Sequence, residues 1–515
     1  MSAVAALAPK AGRREWIGLA VLALPCMLYS MDLTVLNLAV PALSADLRPS
    51  SAELLWIVDI YGFLVAGSLI TMGTLGDRIG RRKLLLAGAA AFGIASVLAA
   101  FSTSAAMLIA TRALLGVAAA TLAPSTLSLI RNMFLDPAQR TVAISVWVMS
   151  YSAGAAIGPL AGGLLLEHFW WGSVFLINVP VMLLLLVLGP LLLPEFRDPQ
   201  AGRLDPLSAA QSLVAVLSVI YGLKRIAEGG LDGIAVMSML AGAAVGAMFV
   251  RRQRQLADPL IDLKLFRVPA FSAAILVNVF GFLTTFATFL FIAQYLQSVL
   301  GLSPLQAGIW SMPAALTFIA GSMLTPAIVR AMRPAYVIAG GMAVSAAGFV
   351  LLALVDAAAS PLAFLVGGSI VFSLGLTPVV TLATDLVLGA APPERAGAAS
   401  AISETSSEFG GALGIAVMGS LVTAIYRGQI ARTLPQGVPA EAAETARDTI
   451  GGAVSVAGQL PGPLGAELLG SAREAYAQAF GTAAEFSAVI AMGVSILAVI
   501  MLRRVQPHHG RELPV

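Results

Sequence analysis

Apolar residues along this chain fall in long continuous runs rather than in alternation with polar ones. Fourteen runs, bounded by charge, Pro and Gly, cover approximately residues 15–42, 53–75, 84–101, 106–131, 141–165, 171–193, 206–226, 233–250, 270–298, 304–329, 334–355, 361–388, 398–426 and 478–503. A helix needs about 20 mostly apolar residues to cross a bilayer, so each run predicts one membrane-spanning helix. Strands of an outer-membrane barrel would alternate in polarity over about ten residues, and these runs do not. The first run follows Lys10, Arg13 and Arg14, as a signal peptide would. It is too long for one, carries Asp32 and lacks a small-residue cleavage site, so it is read as a retained helix.

Composition agrees. Of 515 residues, 58% are hydrophobic and 11% charged, against about 25% charged in a soluble domain. That is too little charge to coat the roughly three soluble domains such a length would form. Disorder would need the opposite bias. One cysteine, Cys26, excludes a disulfide framework. His168, His508 and His509 are too few and too scattered for a histidine metal site. An all-α, multi-pass membrane protein remains, with no metal, no organic cofactor and no nucleic-acid partner expected.

Charge sets the expected orientation. Cytoplasmic loops carry an excess of Lys and Arg. With a cytoplasmic N-terminus, 22 of the 30 Lys and Arg fall on the cytoplasmic side, seven on the outer side, and Arg112 lies inside a run. The cytoplasmic set includes Arg78, Arg81, Arg82, Lys83, the cluster Arg251, Arg252, Arg254, Lys264 and Arg267, and the C-terminal Arg503, Arg504 and Arg511. Both termini are therefore expected inside. The basic, Pro-punctuated segment 251–269 separates eight helices from six and marks a boundary. No tight internal sequence repeat is visible. One loop is long, 427–477 on the outer side, with helix-like spacing. It reads either as an amphipathic cap at the interface or as a gate or partner-binding element.

Ionisable residues inside a span are costly and mark function by default. They are Asp32 and Asp59 in the first two runs, Arg112 in the fourth, Asp385 near the cytoplasmic end of the twelfth, and Glu404 and Glu408 in the thirteenth. Glu404 and Glu408 are four residues apart and share a helix face. Two carboxylates so placed repel each other, and such a pair can exchange a proton for a cationic ligand. The structural alternative is that each carboxylate caps a backbone or pairs with a serine. Arg112 either neutralises Asp32 or polarises the interface of the first and fourth helices. Aromatic faces attract organic cations. Trp56, Tyr61, Trp147, Tyr151, Phe286 and Trp310 are candidate contacts, with packing or interfacial anchoring as the alternative.

Two motifs carry a family resemblance. Residues 73–85, "GTLGDRIGRRKLL", resemble the signature loop of the major facilitator superfamily. Glycines Gly73, Gly76 and Gly80 permit a tight turn and close helix approach, and Asp77 can sit at a helix N-terminus. The resemblance implies a latch between two bundles carried by Gly73, Asp77, Arg78, Gly80 and Arg81, with Arg140 as a further partner. A merely topogenic basic loop is the alternative. Residues 154–163, "GAAIGPLAGG", resemble the fifth-helix motif of the superfamily's drug:proton antiporters. Gly154, Gly158 and Gly162 recur every four residues and give one smooth packing face, with Gly163 beside it, and Pro159 can kink the helix. "RALLGVAAA", "WWGSVFLINVP", "MDLTVLNLAVP" and "WIVDIY" are similar to further segments of the fourteen-helix drug:proton antiporter family.

The resemblance implies a major facilitator fold. Residues 1–200 would form an N-terminal six-helix bundle, 201–255 an inserted helix pair, and 256–515 a C-terminal six-helix bundle. It also implies export of lipophilic, mostly cationic drugs or quaternary ammonium compounds against protons. Asp32, Asp59, Arg112 and Glu404 would serve coupling or cation recognition, with Glu408 and Asp385 nearby. The carrier would be a monomer in the inner membrane. One departure matters: "SMPAALTFIAGSML", 311–324, lacks the acidic residue that some relatives carry there, which weighs against dicationic substrates. The rival on the same fold is an exporter of a neutral antibiotic, lipid or metabolite. No H-E-x-x-H and no G-x-x-x-x-G-K-[ST] is present, so neither a zinc hydrolase nor direct use of ATP is expected.

Overall fold

The computed structural model describes residues 9–49, 51–198, 204–229, 231–355 and 360–503. Arg504, Arg511, His508, His509 and the expected boundary at 200–201 lie outside them. Among the described residues every regular element is helical. They are α1 (Arg13–Leu47), α2 (Ser51–Ile79), α3 (Arg81–Ala100), α4 (Ala105–Met133), α5 (Pro137–His168), the single turn α6 (Ser173–Leu176), α7 (Asn178–Leu192), α8 (Pro206–Gly229) and α9 (Gly233–Gln253). There follow α10 (Pro269–Gln294), α11 (Pro304–Ala331), α12 (Pro334–Ala353), α13 (Pro361–Ala390), α14 (Ala396–Thr433), α15 (Ala440–Asp448), α16 (Ile450–Ala457) and α17 (Gly462–Leu502). With α6 and α7 taken as one span, fourteen are long and apolar enough to cross a membrane.

Local chemistry starts these helices where the chain re-enters an apolar run. Ser104 accepts the Met107 amide, Asp136 that of Gln139 ahead of Pro137, and Asp232 that of Ala235. Ser303 and Gln306 cap each other's backbone ahead of α11, with Pro304 in the first turn. Each such cap is worth about 1 kcal/mol. Arg252, at the end of α9, donates to Asp205, just before α8, at 2.6 and 3.1 Å. That clip joins the ends of one helix pair. The Arg252 hydrogen bond, with a second from Ser208, holds the Asp205 carboxyl below its ordinary range.

Buried apolar side chains gather in two cores. Leu22, Phe92, Phe134 and Phe175 belong to the one among α1–α7; Phe271, Phe349, Phe372 and Phe480 belong to the one among α10–α17. The pair α8 and α9 packs on itself and, through α8, on α2 and α14. Ile220 of α8 sits in a small separate cluster with Phe63 and Ala66 of α2.

Each half brings its first and fifth long helices into backbone contact. A Cβ on Gly154 of α5 would stand 2.0 Å from the Met27 carbonyl oxygen of α1. In the other half, a Cβ on Gly414 of α14 would stand 2.0 Å from the Leu283 carbonyl oxygen of α10, and one on Gly410 would stand 2.4 Å from that of Val279. Only glycine permits such approach.

The structure revises two boundaries. α1 runs from residue 13 to 47, longer than the 15–42 run. Of the expected outer loop 427–477, residues 427–433 continue α14 and 462–477 already belong to α17, so the connection is 434–461, with α15 and α16 inside it. The extension of α17 is amphipathic rather than apolar. Leu468, Ala472, Ala475 and Tyr476 are buried while its other face is polar, so hydropathy alone does not reveal it. Tyr426 donates to the Ala446 carbonyl at 2.8 Å and ties α15 to α14.

Candidate functional site

Polar groups meet at two levels. The first is built around Asp32 of α1. Asp32 on α1 and Arg112 on α4 form a buried ion pair at 2.7 Å. Arg112 also donates to the carbonyls of Ile57 and Val58 on α2, and its guanidinium lies 4.8 Å from the Tyr61 ring centre. Asn178 of α7 donates to the other Asp32 oxygen at 3.5 Å. Asp32 therefore gathers α1, α2, α4 and α7.

Tyr29, one turn before Asp32, extends this cluster to the other half. Its hydroxyl donates to Glu408 of α14 at 2.9 Å. Its ring packs against Tyr61 and Tyr151, at 6.2 and 5.5 Å between centres, and Tyr151 packs edge-on against Trp147 at 4.7 Å. One of the expected carboxylates, Glu408, thus meets a tyrosine cluster of the first half. Glu404 is half-buried on α14, one turn before Glu408. Trp56, Phe286 and Trp310 stand apart and are each about two-fifths exposed. Trp56 packs on Phe63, Phe286 faces Gly411, and Trp310 lines a crevice with Phe289 and Ser369.

Asp59 does not join Asp32. It pairs with Lys224 of α8. Arg112 is therefore not the one base inside an apolar run, as the sequence reading takes it. Lys224 lies within α8 and its ammonium sits 4.6 Å from the Phe63 ring centre.

The second level is the helix end that carries Asp77. The Asp77 carboxylate accepts the amides of Gly397 and Ala398, in the first turn of α14, at 3.1 and 2.9 Å. A carboxylate there satisfies free N–H groups and meets the positive end of the helix. Arg81 donates to Asp77 at 2.8 Å and to the carbonyls of Pro393 and Glu394 at 2.8 and 3.0 Å. A Cβ on Gly73 would stand 2.5 Å from the Gly397 carbonyl oxygen. Gly80 has φ of +115°, a conformation that favours glycine. Arg78 pairs with Asp258 at 2.9 Å, and Arg395 reaches Asp258 and Asp262 at 3.6 and 3.3 Å. The segment before α10 is therefore stitched to both halves.

Arg140, expected beside Asp77 and Arg81, pairs instead with Asp385 at 2.8 Å, and Thr141 donates to the same carboxylate at 3.2 Å. The pair joins α5 to α13. Asp385, placed by sequence with the coupling acids, lies near the end of α13 and pairs there with the start of α5. Of the fifth-helix motif, Gly154 and Gly162 lie against Met27 and Val35 of α1, Gly158 is buried, and Gly163 has open space beside it. The Pro159 side chain lies outside the described set.

Four participants escape the sequence reading. Tyr29 precedes Asp32 by three residues, which places both on one helix face. Lys224 is a charge inside an apolar run. Asp258 and Asp262 stand four apart in a segment read only for its basic residues.

The family model of the Major Facilitator Superfamily matches residues 22–415. The chain belongs to that superfamily. It is a multi-pass membrane transporter, not an enzyme. It is 41% identical, over 95% of its length and 97% of the relative's, to the multidrug efflux pump LfrA of Mycolicibacterium smegmatis. It is 38% identical, over 90% of its length and 93% of the relative's, to the methyl viologen resistance protein SmvA of Salmonella typhimurium. Among solved structures it resembles the human organic anion transporter MFSD10, with a TM-score of 0.62 over 94% of this chain and 99% of that one. Identity there is 15%, so that likeness concerns the fold alone.

Proposed function

We propose that this chain is a proton-coupled antiporter that exports lipophilic, mostly cationic drugs or quaternary ammonium compounds by alternating access. The observation that carries the reading is the linked set Asp32–Arg112–Tyr61–Tyr29–Glu408, which spans both halves. A proton or a cation arriving there acts on groups of both halves at once. The full-length similarity to efflux pumps supports the direction of transport. On this reading the Asp77 end and both termini are cytoplasmic, the membrane is the inner membrane, and the carrier works as a monomer.

The cycle follows from the charges. With the Asp77 end open, ionised Glu404 and Glu408 attract a lipophilic cation. With that end closed, as the Asp77, Arg81 and Arg140 contacts hold it here, protons from outside displace the cation. Protonated carboxylates then let the empty carrier reset. One charge crossing 100 mV is worth about 2.3 kcal/mol; an entering proton offsets that cost for each positive charge exported, and the pH gradient supplies the drive. The test uses proteoliposomes with an imposed pH gradient and ethidium. Gradient-driven ethidium movement should occur in the wild type and stop in Asp32→Asn and Glu404→Gln, with normal thermal unfolding in both. Unaltered movement in both variants overturns the assignment.

One observation favours a second substrate class. Asp32 and Asp59 are already matched by Arg112 and Lys224, so the net negative charge of the site is small and a neutral solute exchanged for protons also fits. Gradient-driven movement of a neutral antibiotic that quaternary ammonium compounds do not compete away would favour that class.

A further inference from the structure

Asp59 and its surroundings have the form of an organic-cation site that is already filled. A carboxylate stands beside the ring of Phe63, with Trp56 at 6.2 Å and Tyr221 at 6.5 Å between ring centres. The cation in contact with both the carboxylate and the Phe63 ring belongs to the protein itself: the ammonium of Lys224. Carboxylate plus aromatic face is the arrangement that recognises substituted ammonium ions. Trp56 and Tyr221 remain substantially exposed, so the aromatic wall continues beyond the lysine.

We propose that Lys224 is a tethered occupant of this site, and that an aromatic or alkyl-substituted ammonium binds by displacing it from Asp59 and the Phe63 ring. Three features suit the lysine to this part. The pair is only partly buried, with side-chain exposures of 34% and 24%, so a ligand can reach it. Lysine has a flexible four-carbon stem, and it presents a point charge rather than the rigid fork of arginine. The released ammonium also has acidic surroundings to turn to, since α8 packs against α14, the helix that carries Glu408. The inserted helix α8 thereby sets the affinity and charge selectivity of the carrier. A ligand must outcompete an internal cation, and only the aromatic surface that Lys224 leaves uncovered gives it the advantage.

This inference deepens the cation reading above and rests on it. Its test is ethidium binding to purified full-length protein in detergent, followed by fluorescence, with thermal unfolding as the folding check. Lys224→Met keeps the stem and removes the charge, and Lys224→Gln serves if the first variant does not fold. Either should bind ethidium about tenfold more tightly than the wild type, while Lys224→Arg stays at or above the wild-type Kd. The gain should vanish when Asp59→Asn is added. A Kd unchanged or weaker in the folded neutral variants overturns the proposal and leaves the cation reading standing. No binding of ethidium or tetraphenylphosphonium by any folded variant, wild type included, overturns both.

Discussion

Removing the Asp77 carboxylate should open the end of the molecule that it closes. Asp77 is 4% exposed and accepts two amides of α14 and the Nε of Arg81. A hydrogen bond to a charged group is worth about 1.5–3 kcal/mol, and the charge gains about 0.3–1 kcal/mol from the helix end. In the open state water solvates the freed amides, so the differential loss in Asp77→Ala comes to about 3 kcal/mol. That shifts the open-to-closed ratio by about 100-fold. Asp77→Asn keeps an acceptor and loses the charge, and should fall between. The assay is electron-spin distance measurement between labels at Lys83→Cys, beside the latch, and Arg333→Cys, at the start of α12. Both positions are exposed, and the native Cys26 is buried. Wild-type protein should give one short distance, and Asp77→Ala a dominant longer one. An unchanged distribution in Asp77→Ala would refute the claim that this carboxylate holds the two halves together.

Asp385→Asn removes one partner of a buried ion pair, a loss of about 3–5 kcal/mol. The same label pair should lengthen, and Arg140→Gln added to it should restore much of the loss, because no charge is then stranded. Gly154→Ala places a carbon 2.0 Å from the Met27 carbonyl oxygen. Overpacking of this kind costs about 1–3 kcal/mol, and thermal unfolding in detergent should fall by several degrees. Gly163→Ala, on the same helix with open space beside it, should leave the unfolding temperature where it was.

Much of the fold is legible in the sequence because the bilayer imposes it. A helix long and apolar enough to cross announces itself by composition, and each of the fourteen runs overlaps a candidate span of the structure. The amphipathic start of α17 shows only as helix-like spacing and not as an apolar run, because its buried face is small and its other face is polar. Asp77 stands out because residues 73–85 resemble the superfamily's signature loop, whereas its contacts with Gly397 and Ala398 are visible in the structure alone. Pairing between distant residues is not readable. Nothing near Asp385 indicates that Arg140, 245 residues away, is its partner, and nothing near Asp59 points to Lys224. Such pairs depend on how helices rotate against one another, which glycine seams and tertiary packing decide. The matching seams, Gly154 of α5 against α1 and Gly410 with Gly414 of α14 against α10, relate the two halves by structure although no sequence repeat is visible.

The central claim is that a cation and protons compete for carboxylates shared by the two halves. Cation-linked proton release tests it most directly. Purified protein in weakly buffered detergent solution is titrated with tetraphenylphosphonium while bulk pH is followed. The account predicts proton release that saturates as the cation binds and disappears in Asp32→Asn and Glu404→Gln. Saturable cation binding with no proton release in the wild type would contradict it.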